Sequence, residues 1–193
     1  MNTVTRTFLF TLIFALISLP AYAASLRDGY VAYEKGDYAT AINIWRPLAE
    51  KGHPMAQFAL GFMYYFGQGV PQDYKEAVKW FRLAAEQGNA TAQFNLGVMY
   101  AKGEGVPQNY KEAVKWSRLA AEKGNADAQS FLGGMYFYGV GVVQDYVKAH
   151  KWANLAAANG HEAARMLRDD IAKEMTPEQI SMAQALAREF VQK

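Results

Sequence analysis

Three consecutive 36-residue blocks, 54–89, 90–125 and 126–161, are copies of one another. Overlaid without a gap, the first two agree at 26 of 36 positions and the second and third at 19. A fixed period of this length constrains the fold strongly, because each unit must cover the apolar face of the next. The question for function becomes which surface the stack presents, and to what.

The N-terminus lies outside that stack. Arg6 supplies a positive charge, residues 8–19 form an apolar run of 12, and Pro20 breaks it. Ala21-Tyr22-Ala23 has the small-x-small form of a signal-peptidase site. The run is shorter than the roughly 20 residues that a spanning helix needs. The expectation is a signal peptide over residues 1–23, cleaved after Ala23, leaving a periplasmic or secreted chain with no membrane attachment. The sequence contains no cysteine, which excludes a cysteine-linked lipid anchor, disulfides and thiolate metal sites. Loss of Arg6 with the leader leaves 19 Lys+Arg against 18 Asp+Glu, a net charge of +1. Nothing in that balance drives association with nucleic acid.

One block shows the unit. Residues 55 to about 66 read as a first helix, interrupted only by Gly61. Gly67, Gly69 and Pro71 then mark a loop, and Asp73 stands as N-cap of a second helix over residues 74–86. Gly88 ends that helix in the left-handed region. Gly61, Gly97 and Gly133 recur with Ala77, Ala113 and Ala149, which predicts one close helix–helix contact seen three times. A helix-interior Gly costs up to about 1 kcal/mol relative to Ala, so close approach should return more than that.

Ala56-Gln57-Phe58, Leu60-Gly61, Met63-Tyr64, Gly67-x-Gly69-Val70-Pro71, Asp73-Tyr74, Ala77, Trp80 and Ala84-Ala85 resemble the Sel-one-like repeat (SLR), a longer-looped relative of the tetratricopeptide (TPR) repeat. The resemblance spans residues 54–161 and implies an all-α fold, a right-handed superhelical α/α solenoid of helix hairpins. The third copy departs at Ser130 and at Val143, which replaces Pro71 and Pro107, so a looser inner loop is expected there. Residues 24–53, with Gly29, Ala41, Trp45, Leu48 and a Gly36-Asp37 turn, read as a shorter TPR-like hairpin. Residues 162–193 read as capping helices. The last should start at Thr176 (N-cap), Pro177 and Gln179, with Ile180, Ala183, Ala187, Phe190 and Val191 as its apolar stripe.

Scaffold positions must recur, and positions that change between near-identical copies are free of that duty. In the first helix, Met55, Ala59, Phe62 and Phe66 differ from the second copy and lie within about 40° of one line at about 100° per residue. Ala56, Gln57, Leu60, Gly61, Met63 and Tyr64 are invariant there and fall on the other side. The resemblance implies that the variable face lines a concave groove. Its expected partner-binding residues begin with Tyr30, Tyr33, Met55, Phe58, Phe62, Tyr65 and Phe66. Phe94, Val98 and Lys102 follow, then Asp127, Phe131, Phe137 and Tyr138. Core and groove readings are equally open for Phe58 and Phe94, which recur. An aromatic groove with few charges suits an extended peptide or an apolar helix.

Chemistry is sparse. His53 and His161 occupy the position of Asn89 and Asn125, a turn role, and His150 replaces Val78 and Val114 without a partner in sequence. No serine lies in a G-x-S-x-G or S-x-x-K setting, and the Gly-x-Gly loops lack the other phosphate-loop residues. No catalytic residue, cofactor or metal is expected. Lys75, Lys79 and Arg82, repeated as Lys111, Lys115 and Arg118, read as a solvated outer face rather than a polyanion site. The leading expectation is an exported adaptor or regulator that binds a protein or peptide and is not an enzyme. The alternatives are a cell-wall-related ligand binder or weak β-lactam hydrolase, as the resemblance allows, and a self-associating module.

Overall fold

A computed structural model describes residues 25–192, and the leader expectation lies outside them. The described residues hold helices and no strand. Helix α1 covers residues 25–34, α2 Tyr38–Glu50, α3 Pro54–Phe66, α4 Tyr74–Glu86 and α5 Ala90–Lys102. Then follow α6 Tyr110–Glu122, α7 Ala126–Tyr138, α8 Tyr146–Ala158, α9 Glu162–Lys173 and α10 Pro177–Val191. Each 36-residue block is a helix hairpin, α3–α4, α5–α6 or α7–α8, and each second helix packs on the first helix of the next block. Helix α9 docks on α8, and α10 returns to α8.

Side-chain caps set the boundaries. Asp73 accepts from the main-chain N–H groups of Lys75 and Glu76, and Asn109 does the same for Lys111 and Glu112. Asn89 and Asn125 cap α5 and α7 by accepting from Ala92 and Ala128. His161 imitates them, its Nδ1 accepting from the Ala164 N–H at 3.1 Å. His53 makes no such bond, and Pro54 occupies the first turn of its helix instead. At the chain's end Thr176 and Gln179 form a reciprocal capping box.

The recurrent glycines do two jobs. A Cβ on Gly97 would stand 3.1 Å from the Ala113 carbonyl oxygen, and one on Gly133 3.2 Å from that of Ala149. These are the expected contacts. In the first block the space over Gly61 is filled by the Phe81 ring, 2.6 Å from where a Cβ would lie. The second loop glycine holds units together. Gly69, Gly105 and Gly141 have φ of 72°, and a Cβ there would collide with Tyr38, Tyr74 and Tyr110 of the preceding unit.

Two expectations need correction. The third loop is not looser: Gly139 and Gly141 have φ of 69° and 72°, as in the first loop, and the Asp145 N–H bonds the Tyr136 carbonyl at 3.0 Å. Val143 points to solvent, where the missing proline ring changes no contact that the loop depends on. Val191 is also exposed, because Ala183 and Ala187, with half-buried Ile180 and Phe190, complete the contact of α10. Phe190 stacks edge-on against Trp152 at 5.3 Å.

Candidate functional site

The invariant side of each first helix faces the interior. Leu60, Leu96 and Leu132, with Met63, Met99 and Met135, are buried. The variable side turns outward. Tyr30 is 58% exposed, Met55 53%, Phe66 53% and Tyr138 71%. Tyr33, Phe58, Phe62, Tyr65, Phe94, Val98, Phe131 and Phe137 are half-buried, whereas Lys102 and Asp127 are exposed. None of the expected residues is fully buried, and Phe58 and Phe94 are neither core nor free surface.

The aromatics form a nearly continuous chain on the first block. Tyr33 meets Phe62 edge-on at 6.3 Å, Phe62 meets Phe58 at 6.3 Å and Phe66 at 4.5 Å, and Phe66 meets Tyr65 at 4.9 Å. The tilted and edge-on arrangements are the ones that aromatic quadrupoles favour. Further along, Phe94 meets Phe131 at 6.1 Å, and Phe137 meets Tyr138 at 4.8 Å.

Three hollows open on this face. The first, about 510 Å³, lies between α1 and α3 and is lined by Leu26, Arg27, Tyr30, Tyr33, Trp45, Met55, Phe58, Ala59 and Phe62. The second, about 230 Å³, shares Phe62 and adds Tyr65, Phe66, Phe81, Phe94, Asn95 and Val98. The third, about 300 Å³, is built from Ala101, Tyr110, Phe131, Gly134, Met135, Tyr138 and Val140. Lys102 and Phe137 line none of them. Lys102 instead pairs with Glu104 at 3.6 Å, and Phe137 packs on Tyr146 at 5.7 Å.

The electrostatics are quiet. The Tyr65 hydroxyl donates to Glu104 at 2.9 Å, and burial followed by that carboxylate raises its pKa. Asp127 lies 3.3 Å from Nε2 of His161. On the outer side, Lys79 and Lys115 pair with Glu76 and Glu112, while Arg82 and Arg118 bond the Tyr100 and Tyr136 hydroxyls of the next unit at 2.7 Å. Two of the six cations of the apparent basic ridge are thus ion-paired within their own helices, and its arginines are held in unit–unit contacts. Among the described residues no group of three or more His, Asp or Glu could hold a metal ion, and no helix is long and apolar enough to cross a membrane.

Sequence reasoning missed Leu26, Arg27, Trp45 and Asn95; in the third hollow it named Phe131 and Tyr138 but not Ala101, Tyr110, Gly134, Met135 or Val140. The first three belong to the irregular N-terminal hairpin, where no neighbouring copy shows which residues vary. Phe81 was missed for the opposite reason: it varies, to Ser117 and Ala153, yet all three are buried against the helix glycines.

The comparison with curated proteins finds no match. Solved structures do match. A Sel1 repeat protein from Oxalobacter formigenes is 37% identical over 72% of this chain and 57% of its own, with a TM-score of 0.70. A protective antigen present in uropathogenic Escherichia coli strains, displaying an SLR fold, is 30% identical over 89% of this chain and 46% of its own, with a TM-score of 0.63. The chain therefore spans about half the length of these relatives. The Sel1 repeat family model matches residues 54–89, 90–125 and 126–161. With its helix hairpins stacked on recurrent Gly and Ala contacts, this chain belongs to the Sel1 repeat family, a helical repeat solenoid.

Proposed function

We propose that the chain is an exported repeat scaffold that holds a polypeptide partner on the aromatic face of its first helices, acting as an adaptor or regulator in the cell envelope. One observation carries this reading. The three hollows open on the side where near-identical copies disagree, while the opposite side of the same helices is invariant core. Selection for packing accounts for the second pattern but not for the first. Exposed aromatics in a continuous patch are the usual anchors of a binding surface. The outer face offers paired charges and no comparable hollow among those described. Binding rather than turnover is the proposed activity.

The test is a pull-down from the source cell's envelope fraction with the wild-type chain and with Phe62→Ser/Phe66→Ser. The reading expects a discrete polypeptide retained by the wild type and lost from the variant, with the variant still folded and melting cooperatively. Equal retention by both would remove the aromatic face from the account.

A further inference from the structure

The hollow between α1 and α3 differs from the other two in size and in the state of its polar groups. Its wall is almost wholly hydrocarbon and aromatic ring, and the wall's hydrogen-bonding side chains are already committed. Tyr33 donates its hydroxyl to Gln68 at 2.8 Å. Trp45 donates its indole N–H to the Leu26 carbonyl at 3.2 Å. Tyr30 is hydrogen-bonded to the Glu34 carboxylate. What remains is one exposed cation, Arg27, which has no ion-pair partner among the described residues. An extended peptide laid here would find no acceptor or donor for its main chain, and unmatched polar groups are costly. The hollow's volume of about 510 Å³ lies within the roughly 300–1,000 Å³ of small-molecule sites.

We propose that this hollow binds a free single-chain fatty acid, its hydrocarbon tail against Trp45, Ala59 and Phe62 and its carboxylate at Arg27. A flexible tail needs apolar wall and no hydrogen bonds, and the head needs one cation at the edge. The inference assigns this one hollow of the aromatic face to a lipid and leaves the second and third hollows to the polypeptide reading.

Titration calorimetry of the purified protein with dodecanoate, below its micelle concentration, tests it. One saturable site is expected. Decanoate should bind about tenfold more weakly, because two fewer methylenes are buried. Dodecyltrimethylammonium should also bind more weakly than dodecanoate. Arg27→Gln should weaken dodecanoate about threefold to fivefold, the scale of an exposed charge pair, and erase the head-group preference. Ala59→Trp, which fills the hollow, should abolish binding; because Arg27 is exposed, Arg27→Gln remains informative even if the tryptophan disturbs folding. Absence of saturation, many equivalent ligands per chain, or equal affinity for the two head groups would overturn the proposal. The pull-down at Phe62 and Phe66 would then still decide the polypeptide reading on its own.

Discussion

Gln57 donates through Nε2 to the carbonyl oxygen of Ala49, 3.1 Å away, in a bond buried between one unit and the next. Gln93 and Gln129 repeat it to Ala85 and Ala121 at 2.9 and 3.1 Å. Each bonds a carbonyl in the last turn of the preceding second helix that already accepts from the main-chain N–H of Gly52, Gly88 or Gly124 at 2.9, 2.9 and 3.0 Å, so the amide supplies that oxygen's second bond and ties the two units together. This explains why a polar residue recurs on a packing face. The copies differ at the other end of the amide. Oε1 of Gln57 accepts from Gln87 at 2.7 Å and that of Gln129 from Asn159 at 3.3 Å, but Gln93 Oε1 has no partner. Lys123 stands at the corresponding position and donates instead to the Gly88 carbonyl at 2.6 Å.

Replacing these glutamines by leucine should therefore not cost the same at each site. Gln57→Leu removes two bonds but leaves the Ala49 carbonyl its bond from the Gly52 N–H, a cost of about 2 kcal/mol. Gln93→Leu should cost about 1 kcal/mol less, since its second amide atom is already unpaired. Urea unfolding of both variants checks the order; equal losses would mean that the Oε1 contacts contribute nothing.

Gly97→Ala should destabilise the protein by about 1–3 kcal/mol even though Ala is the better helix former, because the new methyl meets both the Ala113 carbonyl and the Ser117 hydroxyl. Ser117→Ala in the same chain should return part of that loss, since the hydroxyl makes the tightest contact at 2.5 Å. Simple additivity of the two changes in a thermal unfolding cycle would contradict this.

Much of this was legible in the chain. The period located every hairpin in blocks 54–161, and Asp73, Gly88 and Thr176 marked ends that the structure places where a capping argument puts them. Comparison of copies separated inward from outward faces correctly on the first helices. The same rule does not carry over to the second helices: Phe81, Ser117 and Ala153 differ between copies yet are buried, because a varying side chain can fill a varying space over an unvarying glycine. It was silent on Arg27 and Trp45, whose unit has no near-identical copy. Lys102 looked like a groove residue until its pairing with Glu104 and its contact with the Tyr65 hydroxyl were visible, and neither follows from helical spacing.

Acid should weaken the C-terminal end of the stack through His150. Burial, with a smaller contribution from the Arg168 guanidinium, lowers its pKa below 6.5, against the opposing effect of Asp169. Between that lowered value and 6.5 the unfolded chain binds more protons than the folded one, so stability falls as pH drops through this window and levels off below it. His150→Val restores the residue found at Val78 and Val114 and should flatten the dependence. Urea midpoints at pH 7.5 and at about pH 5.5 measure it; a slope unchanged by the substitution would assign the effect elsewhere.

The aromatic face should tolerate polar substitution better than the core. Phe66→Ser, at an exposed position, should cost under about 0.5 kcal/mol, and half-buried Phe62→Ser about 1–2 kcal/mol. Phe81→Ser should cost more than either, because its ring is buried over Gly61. A larger loss at Phe66 than at Phe81 in thermal unfolding would mean that the exposed ring is structural.

The central claim is that the non-repeating side of the first helices is the working surface. Site-specific photocrosslinking in living cells tests it most directly, with the photoreactive residue placed in turn at Phe66, Tyr138, Lys79 and Lys115. The account predicts that Phe66 and Tyr138 capture the same discrete polypeptide and that Lys79 and Lys115, on the outer helices, do not. Capture from the lysine positions alone, or equally from all four, would contradict it.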